Sequence, residues 1–197
     1  MVEFPSLKRT EVVTLFLVSR TSVRIDTAWA AGLGEFLSAN ATLRHLSLSK
    51  SNLGEDGAAQ LLIGFSSSTS LSHLNLSSNH IGGHGLVKLC KVLATNSTLT
   101  SLFLIDNNIQ DIEAARLLTS ISSNNHLTTL SLVKNIIQSE FYHALSTNST
   151  LTDLDIRDTP TRHDPALVSE LLSIVPLHAS LNRCELHFLS ILNQFKR

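Results

Sequence analysis

The sequence predicts an α/β solenoid, a right-handed coil with short parallel strands on one side and helices on the other. Two recurrences carry that prediction. A strand-like pattern of leucines returns every 28 residues, and a helical i, i+3, i+4, i+7 pattern returns at the same interval between the strands. Composition agrees: 43% hydrophobic against 16% charged residues in a chain of 197 is enough to bury one continuous core.

The first unit is degenerate, with Val12, Leu15, Leu17, Arg20 and Val23 at the repeat positions. The segment contains Lys8-Arg9 followed by an apolar run from Val12 to Val18. Glu11 and Thr14 dilute that run and Arg20 closes it, so it reads as a first strand and not as a signal peptide. The next strand carries Leu43, Leu46, Leu48 and Leu53, with Ser51 between. Three units then match L-x-x-L-x-L-x-x-N-x-I without a fault: Leu71 to Ile81, Leu99 to Ile109 and Leu127 to Ile137. The last unit, Leu151, Leu154 and Ile156, has Thr159 at the Asn position and follows after 24 residues. Helices between these strands are predicted from Ala30-Leu33-Gly34-Leu37, Ala58-Leu61-Leu62-Phe65, Leu86-Leu89-Cys90-Leu93 and Ala114-Leu117-Leu118-Ile121. A shorter helix spans 140–146. The helices end at polar turns containing Asn40, Asn96, Asn124 and Asn148, where Asn suits a left-handed backbone.

In phrases such as NSTLTSLFLIDNNI and SLSHLNLSSNHIGGHG the chain resembles leucine-rich repeat proteins of the ribonuclease-inhibitor and NOD-like-receptor type. It is also similar to leucine-rich repeat effectors that intracellular Gram-negative pathogens inject into host cells. The resemblance covers residues 12–161. It implies a horseshoe with the sheet on the concave face and the helices on the convex face. Inward leucines form the core, and Asn79, Asn107 and Asn135 form a ladder that satisfies backbone groups at the turns. Residues 1–161 are expected to form about six repeats, the first and last degenerate, and residues 162–197 a C-terminal helical cap. Asp164-Pro165 is a good helix opening and Pro176 a helix end. Beyond it, Leu177, Leu181, Cys184, Phe188, Ile191 and Phe195 form one apolar seam, which suits either a cap or a helix that binds a partner or a second copy.

Composition excludes several functions. Fifteen basic against 16 acidic residues, with pI near 6.7, leave no electrostatic footprint for nucleic acid or an anionic membrane. No apolar run is long enough to span a bilayer. Two cysteines make neither a disulfide framework nor a metal cluster, and no HExxH, CxxC or P-loop occurs. Cys90 replaces an inward leucine, so it is expected in the core. His45 and His73 share a strand position about 5 Å apart, but Ser101 and Thr129 continue that column, so a metal site is not expected. Gly82-Gly83-His84-Gly85 falls on the repeat's own turn and helix start. Asn40, Asn75, Asn96 and Asn148 open formal glycosylation triplets.

What remains is the strand face between the leucines. Repeats two and three offer small polar groups there. Repeats four to six change character: Phe103, Ile105 and Val133 make an apolar spot, rimmed by Asp106, Lys134, Asp155, Arg157 and Asp158. An apolar centre with a charged rim is the composition of an interface hot spot. The expected function is therefore a non-catalytic protein-interaction module without cofactor or metal, monomeric when free, whose partner is a host protein or another effector. The resemblance implies a secreted effector in the host cytosol that binds and inhibits its partner. The alternative is a recognition fragment or adaptor part of a larger receptor or ubiquitin ligase.

Overall fold

The computed structural model describes residues 14–16 and 25–159, together with Ala166, Ser169 and Ser173, which are helical and exposed. The remainder of the predicted cap, with Cys184, lies outside the described residues, as does most of the first repeat.

Strand and helix alternate from end to end. The strands are β1 (Thr14–Phe16), β2 (His45–Ser47), β3 (His73–Asn75), β4 (Ser101–Phe103), β5 (Thr129–Ser131) and β6 (Asp153–Asp155). They form one parallel six-stranded sheet in chain order. Between them run α1 (Thr27–Ala39), α2 (Gly54–Phe65), α3 (Gly82–Leu93), α4 (Asp111–Ser120) and α5 (Ser139–Leu145). Register follows the repeat, with Leu46, Leu74, Leu102, Leu130 and Leu154 opposite one another on successive strands. Strands stack about 4.8 Å apart while helices need roughly 8–10 Å, so the coil curves with its sheet inside.

The predicted core is buried: Leu74 is 1% exposed, Leu102 and Leu130 0%. Cys90 departs from its column. Leu62 and Leu118, its equivalents on α2 and α4, are fully buried, whereas Cys90 is half-buried. In α3 the covered line runs through Gly85, Leu86, Leu89, Val92 and Leu93 instead. Val92 takes over the packing, and the thiol borders a cleft of about 170 Å³ shared with Glu113 and Arg116 of α4.

The asparagine ladder forms as expected. Asn79, Asn107 and Asn135 are all buried. Asn107 Oδ1 accepts the N–H of Asn79 (3.0 Å) and Asn135 Oδ1 that of Asn107 (3.1 Å), while each Nδ2 donates to a leucine carbonyl of the preceding repeat. The second asparagine set behaves otherwise than predicted. Asn40 is extended, at φ −96° and ψ 126°, and none of the four is left-handed. Each is buried and turns the chain with its side chain, Oδ1 accepting two backbone N–H groups two and three residues on: Thr42 and Leu43, Thr98 and Leu99, His126 and Leu127, Thr150 and Leu151. Carboxylates also tie neighbouring repeats. Glu55 accepts the N–H of His84 at the start of α3, and Asp111 accepts those of Gln138, Glu140 and Phe141 at the start of α5.

Candidate functional site: the concave sheet

The strand face holds the predicted residues, but not as one patch. Phe103 ends β4 half-buried, and Ile105 is half-buried two residues on. Val133, expected beside them as an exposed apolar residue, is only 8% exposed. It sits in a column between Ile105 and Arg157, whose strands are drawn together by backbone bonds from Asp106 N–H to the Val133 carbonyl and from Lys134 N–H to the Arg157 carbonyl. Side chains on an inward-curved sheet crowd, and the middle member of the column is covered.

Three of the predicted rim charges occupy the turn after the strand instead of the sheet face. Asp106, Lys134 and Asp158 have φ of 55°, 58° and 56° and are exposed. That left-handed backbone follows from the tight bend between strand and Asn column. Asp106 also accepts a hydrogen bond from Ser78 Oγ at 3.2 Å. On β6, Asp155 grips Arg157 through two parallel bonds, Nε to Oδ1 at 2.9 Å and Nη2 to Oδ2 at 2.7 Å. The carboxylate bonds and charge raise the Arg157 pKa further. Arg157 is thus engaged within its own repeat, which weakens the expectation that it meets a partner as an independent rim cation.

Phe103 belongs instead to a hollow in the N-terminal half of the sheet, beside the small polar groups of repeats two and three. About 500 Å³ in volume, it is lined by Thr14, His45, Ser47, His73 and Asn75 with Phe103 as one wall, over Leu46 and Leu74. Small residues stand beside the phenyl ring in its own column, Ser47 and Asn75 against Phe103, so the surface drops away there. That size step was visible in the sequence and is the signal that could have found the hollow.

Within it the rings of His45 and His73 lie against each other, centroids 4.2 Å apart and tilted 33°. Ser72 Oγ stands 3.0 Å from the Arg44 carbonyl and 2.8 Å from His73 Nδ1, within hydrogen-bond reach of both. Ser72 thus holds the ring at Nδ1, and Nε2 is the nitrogen that lies away from that contact. Burial, and secondarily the neighbouring His45, hold the His73 pKa below the ordinary imidazole value. Asn75 Oδ1 accepts from Ser77 N–H at 3.0 Å, which leaves its amide N–H groups as the donors beside the rings.

Chemistry elsewhere is sparse. Burial pushes the Cys90 thiol pKa up, against opposing pulls from a Ser120 hydrogen bond and the Arg116 charge. The neutral thiol is thereby favoured over the nucleophilic thiolate. Among the described residues no three His, Cys, Asp or Glu side chains are grouped to hold a metal ion, and no helix is long and apolar enough to cross a membrane.

Residues 39–62 and 67–90 match the Leucine Rich repeat family model. No curated protein matches the chain. Among solved structures, the Actin-Binding Site 2 of Leiomodin-1 is similar, with 15% identity and a TM-score of 0.62 over 85% of this chain and 94% of that one. The leucine-rich repeat-containing protein LegL7 from Legionella pneumophila is 19% identical over 74% of this chain and 69% of that one, at a TM-score of 0.33. The first likeness speaks to fold alone and the second is too loose to carry a conclusion. Sheet order, register and repeat match together make this chain an α/β solenoid of leucine-rich repeats.

Proposed function

We propose that the chain is a non-catalytic protein-interaction module that holds a protein partner against its concave sheet. The observation that carries this reading is Phe103, a large aromatic left half-exposed on the wall of a 500 Å³ hollow instead of being packed into the core. Ile105 extends the apolar surface towards the C-terminal repeats. An aromatic in a recess, beside smaller polar groups, is the setting in which interface anchors concentrate binding energy. Leucine-rich repeats as a fold, and the actin-binding named for the Leiomodin-1 neighbour, fit a binding role.

The finer reading is an effector that acts in the host cytosol and occludes its partner without chemistry of its own. It is supported by the likeness of the repeat phrases to bacterial effector repeats. A reporter for translocation fused to the chain tests it: signal in the host cytosol is expected only with an intact secretion apparatus.

The concave-face reading is tested by isolating a binding partner through affinity capture and mass spectrometry, then measuring its affinity directly. Phe103→Ala is expected to weaken binding by about 2 kcal/mol, the hot-spot scale, with the fold unchanged. Parent-like binding by Phe103→Ala and Ile105→Ala would move the interface elsewhere.

A further inference from the structure

The strand face and flanking turns of the second and third repeats carry Arg44, His45, Lys50 and His73, and no acid; the other positions are serines and Asn75. The hollow sits in this stretch. Its remaining lining groups, Thr14 of β1, Ser47 of β2, Asn75 of β3 and Phe103 of β4, do not titrate. Arg44 and Lys50 flank β2, the guanidinium of Arg44 donating to the Ser70 carbonyl at 2.9 Å. Asp106 lies beyond, bonded by Ser78. Two imidazoles with centroids 4.2 Å apart resist charging together, because like charges at that distance repel. A second proton on the pair is therefore disfavoured relative to the first. Nδ1 of His73 is taken up by Ser72 Oγ at 2.8 Å, so Nε2 is the ring nitrogen left to meet an incoming group.

We propose that this hollow receives an acidic side chain of the protein partner, its carboxylate meeting the His45–His73 pair and the Asn75 amide while an adjoining apolar group rests on Phe103. The proposal rests on the concave-face reading and narrows it to a class of contact. Charge complementarity carries it, since this half of the sheet presents cations and proton-accepting rings with no carboxylate of its own. Binding is coupled to protonation. One proton passes from solvent to the imidazole pair as the carboxylate arrives, because an opposite charge close by favours the charged form. Affinity consequently rises as the pH falls through the imidazole range.

Phenylacetate is the probe, a carboxylate joined to a ring, and phenylacetamide is its uncharged counterpart. The imidazole Hε1 resonances of the full chain are followed by NMR between pH 7.5 and 5.5 at constant ionic strength. Phenylacetate is expected to shift His45 and His73 but not the exposed His126 and His143, to raise the titration midpoints of the pair, and to bind on the order of tenfold more tightly at the acid end, one unit of linked pKa being a factor of ten. Phenylacetamide is expected to leave the midpoints in place. His45→Gln and His73→Gln, each checked for fold by circular dichroism, are expected to lose the pH dependence. Unmoved midpoints, or equal effects of the amide, would overturn the proposal. The two readings fail separately. A partner that needs Phe103 but binds independently of pH sinks only the carboxylate contact. A phenylacetate response in a chain whose partner ignores both Phe103→Ala and Ile105→Ala sinks the concave-face reading and leaves an anion-binding hollow.

Discussion

Gly34 of α1 and Gly64 of α2 touch backbone to backbone. A Cβ built on Gly64 would overlap the Gly34 main chain, and one on Gly34 would stand 3.0 Å from the Leu61 carbonyl oxygen. Neither glycine needs an unusual φ here; the absence of a side chain is what lets the two helices close. Gly64→Ala is therefore expected to force α1 outward and cost about 1–3 kcal/mol, the range for overpacking, read from the shift of the urea unfolding midpoint. Gly57→Ala is the control, because a Cβ there meets Leu53 only at ordinary contact distances of 3.7–3.8 Å. Equal stability of Gly64→Ala and parent would contradict the close approach.

The asparagine ladder gives a second expectation. Asn107 Oδ1 receives the N–H groups of Asn79 and Ile81, and its Nδ2 donates to the Leu76 carbonyl, all in a fully buried setting. Asn107→Ala strands the two N–H groups away from water, while the Leu76 carbonyl keeps the Asn79 Nδ2 donor at 3.0 Å, and should lower stability by roughly 2–6 kcal/mol, one to three for each buried group left unsatisfied. Asn125→Ala, at an exposed turn position, should change little. A loss under half a kcal/mol at Asn107 would mean that water takes the amide's place.

Lys134 tests the turn. At φ 58° a β-branched side chain is strained, so Lys134→Val should cost about 1–2 kcal/mol, while Lys134→Asn should be neutral within measurement error. Thermal unfolding of the two variants separates backbone strain from loss of a surface cation, since both remove the charge.

Acid should weaken the fold through His73. Its folded-state pKa lies below the ordinary value, so the contribution of the neutral ring is complete above about pH 6.5 and is lost as pH falls towards the depressed folded-state value. Urea midpoints of parent and His73→Gln should therefore converge between pH 7.5 and 5, the parent losing more. Parallel curves would show that the ring is not desolvated.

Cys90 carries the opposite sign. With its pKa raised, the thiol's contribution is present below the unfolded thiol pKa and disappears as pH rises through the folded value. In the native chain at pH 7.4 a disulfide reagent should label Cys90 much more slowly than in the urea-unfolded chain, as judged by mass mapping of the modified peptide. Equal rates would place the thiol in open water.

The leucine columns were legible because burial imposes a period, and a period survives in sequence: Leu74, Leu102 and Leu130 needed no knowledge of the third dimension. Properties without a period were harder to read. The spacing separates the ladder asparagine Asn107 from Asn96 but does not show how Asn96 turns the chain: Asn107 binds backbone groups of the preceding repeat, whereas the Asn96 side chain accepts from its own turn. Cys90 kept the helical spacing of its column, yet it is only half-buried while Val92 of the same helix is covered. Val133 looked outward by alternation and was covered by curvature, which alternation does not encode. Asp suits the left-handed backbone found at Asp106 and Asp158, whereas Lys134 is a residue type that does not announce it. The concave hollow arises from a difference between repeats, small residues beside Phe103, and a search for sameness passes over differences.

The strand register runs unbroken from Thr14 opposite His45 to Thr129 opposite Asp153, although the helices on the other side shorten from 13 residues in α1 to 7 in α5. Length is thus free on one side of the coil and fixed on the other. A residue inserted into a strand would turn every following side chain to the wrong face, whereas a turn of helix can be added or removed without disturbing the sheet. Descent by duplication would accordingly tolerate copying or excising whole units of this chain, and would record its history of small insertions in the helices.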